Sequence, residues 1–252
     1  MPDTVTVNGV PTWYDVRGDG EPLVLFHGGM TDARCFAGNL DILAEQFRLY
    51  LPERRGHGHT PDVEGPISHD LMAADMIEFI ETVVGGPVHL AGYSDGAVVA
   101  LLLAYRRPDL VRKLVLISGA YDHSGWLMTP EPGGEIPEVI TRAYAEVAPH
   151  PPEHLQVVLA KLAASAAAER LLTTEDLAKI GVRTLVVAAD DDIISLEHTL
   201  ALYRGIPDSE LAVVPGTSHA LLEEKPLRCR EIVGEFLRDE AVPTWIPIRR
   251  AG

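Results

Sequence analysis

Short apolar and β-branched runs alternate along the chain with longer stretches whose apolar positions recur every three or four residues. Thr4 to Val7 and Thr12 to Val16 flank Asn8-Gly9, a pair that tolerates the left-handed backbone of a tight hairpin. Two antiparallel strands are therefore expected at the start. Pro22 to Phe26 reads as the next strand and runs into His27-Gly28-Gly29. A helix is expected from about Cys35 to Gln46, then a strand over Leu49 to Leu51, then an amphipathic helix over Ser68 to Val84. Pro87 to Ala91 is a strand, and Ala97 to Tyr105, apolar almost all round, is a buried helix. Val111 to Ile117 is uniformly apolar, as buried parallel strands are.

The alternation breaks after Ser118. Pro137 to Ala148 and Pro152 to Leu172 read as helices, each with proline near its start and no strand between them. It resumes with a strand at Thr184 to Ala189, a helix near Leu196 to Arg204, a strand at Leu211 to Val214 and a helix over Ala220 to Arg238. The tail after Ala241 shows no periodicity. Repeated strand–helix units imply a mostly parallel sheet with helices on both faces, an α/β architecture. Residues 1–118 and 181–252 form its core, and residues 119–180 are a small helical cap inserted over the carboxyl ends of the strands, where such sheets bind ligands.

Composition narrows the function. The chain has 252 residues and a net charge of −16, which repels phosphate backbones and anionic lipid head groups, so neither nucleic acid nor a membrane is an expected partner. Two cysteines give no disulfide framework, the N-terminus lacks a signal-peptide pattern, and no apolar stretch reaches membrane-spanning length. A cytoplasmic location is expected.

Gly92-Tyr93-Ser94-Asp95-Gly96 is a G-x-S-x-G pattern between an apolar strand and an apolar helix. That context suits a serine on a sharp strand-to-helix turn, its hydroxyl lifted above the sheet and the flanking glycines sparing Cβ clashes. A nucleophilic serine needs a base. Among the ten histidines, His219 follows the last strand through Pro215-Gly216-Thr217-Ser218 and precedes the last helix. It lies at the same sheet edge as Ser94 and after it in the chain. An orienting acid is expected after the strand at Thr184 to Ala189, where Asp190, Asp191 and Asp192 stand together, and three adjacent carboxylates cannot all be buried. The oxyanion of an acyl-transfer intermediate needs two backbone N–H donors: Asp95 supplies one, and Gly29, with Met30 as the alternative, supplies the other.

These segments, with Arg55-Gly56-His57-Gly58, occur in the order found in α/β-hydrolases, and the chain resembles that superfamily, in its serine-esterase form, nearly throughout outside the cap. The resemblance implies an eight-stranded sheet. It also selects Asp192, because Leu185 to Ile194 looks like the segment whose G-x-x-D ends on the triad acid; Ala189 in place of the glycine keeps Asp190 as an alternative. The Arg55-Gly56-His57-Gly58 run is expected to be architectural, with Glu53 and Arg55 pairing nearby.

Asp95 resembles the elbow of biphenyl hydrolase-like proteins, which act on amino-acid esters. A carboxylate there could attract a substrate ammonium group, or simply cap the following helix. The implied activity is hydrolysis of a small-molecule carboxylic ester with no metal or organic cofactor; lactone, amide, peptide or carbon–carbon cleavage on the same triad, or slow-turnover ligand binding, are the rivals. Substrate contacts are expected from Met30 and from the cap, at Trp126, Leu127 and Met128.

Overall fold

The structure, a computed structural model, describes residues 1–129, 133–239 and 244–246. Apart from those last three residues, the tail after Ala241 lies outside the described residues. Eight strands form one sheet in the order β1-β2-β4-β3-β5-β6-β7-β8. They are β1 (Asp3–Val7), β2 (Val10–Arg17), β3 (Glu21–Phe26), β4 (Phe47–Pro52), β5 (Val88–Tyr93), β6 (Val111–Ile117), β7 (Thr184–Asp191) and β8 (Ser209–Ser218). The β1–β2 and β2–β4 pairs are antiparallel and the rest are parallel. Asn8 and Gly9 both take positive φ, 45° and 78°, as the hairpin turn requires.

The parallel strands are apolar on both faces because both faces are covered. Alternate residues go to opposite cores: Val24, Phe26, Leu90, Leu114, Leu116 and Val186 to one, Leu23, Leu25, Ala91, Val115, Ile117 and Val187 to the other. The first core is closed by α1 (His69–Phe79), α2 (Asp95–Arg106) and α6 (Leu196–Gly205), and the second by α8 (Pro226–Arg238) and two short 3-10 turns. Those turns, Ala33–Phe36 and Leu40–Glu45, replace the single helix expected over Cys35 to Gln46. Gly38 at φ 77° breaks the run, and Asp32 and Asn39 cap the two pieces separately. The expected last helix also divides, into α7 (Leu221–Glu224) and α8, because Pro226 disfavours helical backbone at Lys225.

Between β6 and β7 lie α3 (Glu138–Val147), α4 (His154–Ala168) and the short α5 (Thr174–Leu177). The last has no apolar period of its own; a reciprocal capping box between Thr173 and Asp176 starts it. Among the described residues no helix is long and apolar enough to cross a membrane.

Candidate active site

The chain leaves β5 at Tyr93 and enters α2 at Asp95, with Ser94 alone between them at φ 55°, ψ −122°. Such a backbone is strained for a non-glycine residue and persists only where its surroundings impose it. Here Ser94 N–H donates to Ile117 O at 2.8 Å. The glycines on either side are sterically obligatory. A Cβ on Gly92 would lie 2.3 Å from Gly96 O, and one on Gly96 would lie 2.3 Å from Phe26 O and His27 O.

Ends of neighbouring strands bring the partners in. His219 follows β8, and its Nε2 lies 2.9 Å from Ser94 Oγ. Its Nδ1 lies 2.7 Å from Asp192 Oδ1, beyond the end of β7. Asp192 is buried, and also accepts from Ser118 Oγ at 2.5 Å and from the N–H groups of Ala189 and Ile194. Burial disfavours its charge, but the bonds from His219 and Ser118 outweigh that and hold the carboxyl below its ordinary range. Asp190 turns away to accept from Thr217 N–H at 3.0 Å, and Asp191 is exposed. Tyr93 stacks on His219 at 5.5 Å and donates its hydroxyl to His219 O at 2.8 Å, fixing ring and loop together.

The loop after β3 packs on the elbow. A Cβ on Gly28 would lie 3.5 Å from Ser94 Cβ, and one on Gly29 would lie 3.3 Å from Asp95 Cβ. Gly29, Met30, Ser94, Asp95 and His219 all line a cavity of about 320 Å³. Apolar side chains from α3 and α4, including Ile140, Leu159 and Leu162, also line it, together with Ile193 and with Trp126, whose ring lies 6.3 Å from that of His219.

Residues 23–232 match the alpha/beta hydrolase family. The chain belongs to that family.

Among relatives, the putative carbamate hydrolase RutD of Azorhizobium caulinodans is 27% identical over 241 residues, which cover 85% of this chain and 90% of that protein. The (E)-2-((N-methylformamido)methylene)succinate hydrolase of Acinetobacter baylyi is 31% identical over 108 residues, a match spanning 43% of this chain and 41% of that protein. Of solved structures, a thermophilic esterase from Thermogutta terrifontis superposes with a TM-score of 0.76 at 25% identity, covering 94% of this chain and 98% of the other. A serine hydrolase involved in carbazole degradation superposes at 0.80 and 23%, with the same coverage, and at that identity the likeness is one of fold.

Several side chains in this α/β-hydrolase stand differently from expectation. Asp95 neither caps α2 nor stands free for a cation. Its Oδ2 accepts from Arg54 Nη1 at 2.6 Å and its Oδ1 lies 2.7 Å from His69 Nε2. Burial opposes the charge on both Asp95 and His69. Their mutual attraction, with Arg54 beside Asp95 and Glu169 beside His69, outweighs it: Asp95 falls well below the carboxylate range and His69 rises to about 9. Glu169, just after α4, accepts from His69 Nδ1 at 2.8 Å and from the first two N–H groups of α1. The positive end of that helix favours the carboxylate.

Glu53 and Arg55 do not pair. Arg55 makes a two-pronged bond to Asp75 at 2.7 and 2.9 Å, while Glu53 meets His59 at 2.9 Å. Met128 is exposed, as is Leu127, and neither lines the cavity. The reason is local: Trp126 bridges to Ile194 and Leu127 N–H donates to Ile193 O, so Trp126 turns inward and the next residues turn out.

Arg54, His69, Ser118, His123 and Glu169 were not singled out by the sequence, since none sits in a recognisable motif. A histidine opening an apolar helix was the faint signal for His69. The ligand atoms of His69, His123 and Glu169 lie within 4.8 Å of one another, a spacing a metal ion could use. Both nitrogens of His69 are already committed to carboxylates, so an ion would first have to break one of those bonds.

Proposed function

We propose that the chain is a serine hydrolase that cleaves a small, uncharged carboxylic ester through an acyl-enzyme on Ser94. One observation carries this reading: the line Ser94 Oγ–His219–Asp192, at 2.9 and 2.7 Å, opens onto an apolar cavity of about 320 Å³. His219 Nε2 takes the Ser94 proton as Oγ adds to the carbonyl carbon. The resulting oxyanion sits between the N–H groups of Gly29 and Asp95. Collapse breaks the ester C–O bond, and His219 returns the proton to the departing alcohol. Water repeats the sequence on the acyl-enzyme and releases the acid. Asp192 keeps the imidazole oriented and offsets its charge.

The uncharged substrate follows from the polar wall. Among the described residues that line the cavity, Asp95 and His69 carry charge, and both are already paired with each other and with Arg54 and Glu169 outside the lining, which leaves neither free to match an ammonium or carboxylate. The residues between β6 and β7 act in this reading as a cap, α3 and α4 supplying the wall that decides which ester fits. Met30 and Trp126 are substrate contacts. The partner in this reading is a small-molecule ester, with nucleic acid and membrane surfaces disfavoured by the −16 charge. The unpaired Cys35 and Cys229 support a cytoplasmic setting.

The test is intact-mass analysis after exposure to an alkyl fluorophosphonate, followed by a panel of aliphatic esters. A single adduct on wild type, absent from Ser94→Ala, together with ester turnover, is expected. Folded protein that neither labels nor turns over any ester would overturn the reading. Relatives named putative carbamate hydrolases, matched over most of their length, favour a second reading in which the same triad opens a carbamate. Faster turnover of an alkyl carbamate than of its matched ester would put it first.

A further inference from the structure

We propose that Arg54 is a positioning residue that sets both oxyanion donors at once, an inference that rests on the serine-hydrolase reading above. Arg54 stands just beyond β4, with a fully buried side chain. One arm, Nη1, donates to Asp95 Oδ2 at 2.6 Å. The other, Nη2, donates to His27 O at 2.5 Å and to Gly28 O at 3.1 Å. The guanidinium thus spans the elbow and the loop after β3, and each of these carries one donor.

The peptide geometry turns this contact into orientation. Gly28 C=O and Gly29 N–H belong to one planar trans peptide, in which the two groups point in opposite directions. Pinning the carbonyl on the Arg54 side therefore aims the Gly29 N–H away from Arg54. Three donors hold that carbonyl: Arg54 Nη2, Thr31 Oγ1 at 3.0 Å and His27 Nδ1 at 2.7 Å. The His27 tautomer follows from its other nitrogen, since Arg54 N–H donates to Nε2 at 3.1 Å and leaves the proton on Nδ1. Burial and the neighbouring Arg54 charge keep His27 neutral, consistent with that tautomer. Hydrogen bonds into a carbonyl polarise its amide and strengthen the N–H at the other end. Asp95 offers the second donor from its own N–H, and its side chain is tied to the same guanidinium. A lysine could satisfy one of these ends but has no rigid fork to reach both.

Arg54→Met and Arg54→Lys separate this role from a merely structural one. The probes are a butyl trifluoromethyl ketone, whose carbonyl Ser94 converts into a tetrahedral oxyanion, and the matching butyl methyl ketone, which stays planar. Dissociation constants are read from the ligand-dependent change in tryptophan fluorescence, to which Trp126 in the cavity wall contributes beside Trp13 and Trp245, and need no turnover. Wild type is expected to prefer the trifluoromethyl ketone strongly. Arg54→Met is expected to weaken that adduct about a hundredfold, the scale of losing an oxyanion donor, with little change for the methyl ketone. Arg54→Lys should recover part of the preference.

A structural role alone would lower melting temperature or active fraction and leave the per-site preference intact. Should Arg54→Met fail to fold, Arg54→Met with Asp95→Asn removes both members of the buried pair and is read the same way. An unchanged preference in the folded variants overturns the positioning role and leaves the hydrolase reading standing. No preference in wild type overturns both.

Discussion

Ser118 donates its hydroxyl to Asp192 at 2.5 Å, from the end of β6 to the turn after β7, and so holds the carboxylate oxygen that His219 does not use. Ser118 itself sits at φ 47°, a left-handed backbone that it keeps while its N–H donates to Val187 O. Removing the hydroxyl leaves Asp192 short of one charge-assisted bond, an interaction of about 1.5–3 kcal/mol. Ser118→Ala is expected to lower kcat roughly tenfold on the best ester with KM little changed. Steady-state kinetics decide this, and full activity in the variant would show that the backbone donors to Asp192 suffice.

Asp192 and Asp190 lie two positions apart and do opposite work. Asp192→Asn keeps the shape but loses the charge that orients His219, so kcat should fall by about 10⁴. Ser94→Ala should cost about 10⁶. Asp190→Asn keeps an oxygen to accept from Thr217 N–H, loses only a charge that does not face His219, and should leave kcat near wild type. Comparable losses in the two aspartate variants would mean that the acid has been misassigned.

His69 ties stability to pH. Its folded value, raised from 6.5 to about 9, means that the imidazolium contributes stability that is full below pH 6.5 and is lost as pH rises through about 9. His69→Gln should therefore be much less stable than wild type near about pH 6, with the gap closing towards about pH 10. Urea denaturation across that range gives the curve. A gap independent of pH would show that His69 acts through packing alone.

Gly96 and Gly86 contrast two uses of glycine. A Cβ on Gly96 meets the carbonyl oxygens of Phe26 and His27 at 2.3 Å, whereas one on Gly86 has nothing within 4 Å. Gly96→Ala is expected to destabilise by about 4 kcal/mol or more, if it folds at all. Gly86→Ala should stay within about 1 kcal/mol of wild type. Chemical denaturation of the pair measures both, and a tolerated Gly96→Ala would mean that the elbow can open.

Local chemistry made much of this molecule legible. Asn8-Gly9 fits a hairpin turn whatever surrounds it, the apolar run from Val111 to Ile117 can be stable only as a strand covered on both faces, and a G-x-S-x-G between strand and helix has few other uses. That Ser94, Asp192 and His219 would meet was legible because each follows a strand whose carboxyl end lies at one edge of the sheet. Periodicity was less informative where a single residue interrupts it, as Gly38 and Pro226 do.

What only the tertiary structure decided is the pairing of charges between segments far apart in the chain. Nothing in Pro52-Glu53-Arg54-Arg55 tells which arginine reaches Asp75 and which reaches Asp95; the direction in which each side chain leaves the end of β4 decides it. Likewise, Asp95 beside a nucleophile could serve a substrate or a helix end until Arg54 and His69 are found against it. Sequence spacing governs which groups share a face of one element. Burial makes an unpaired charge costly, and so forces partners together across the fold, but which partners meet is set by the packing of the whole sheet.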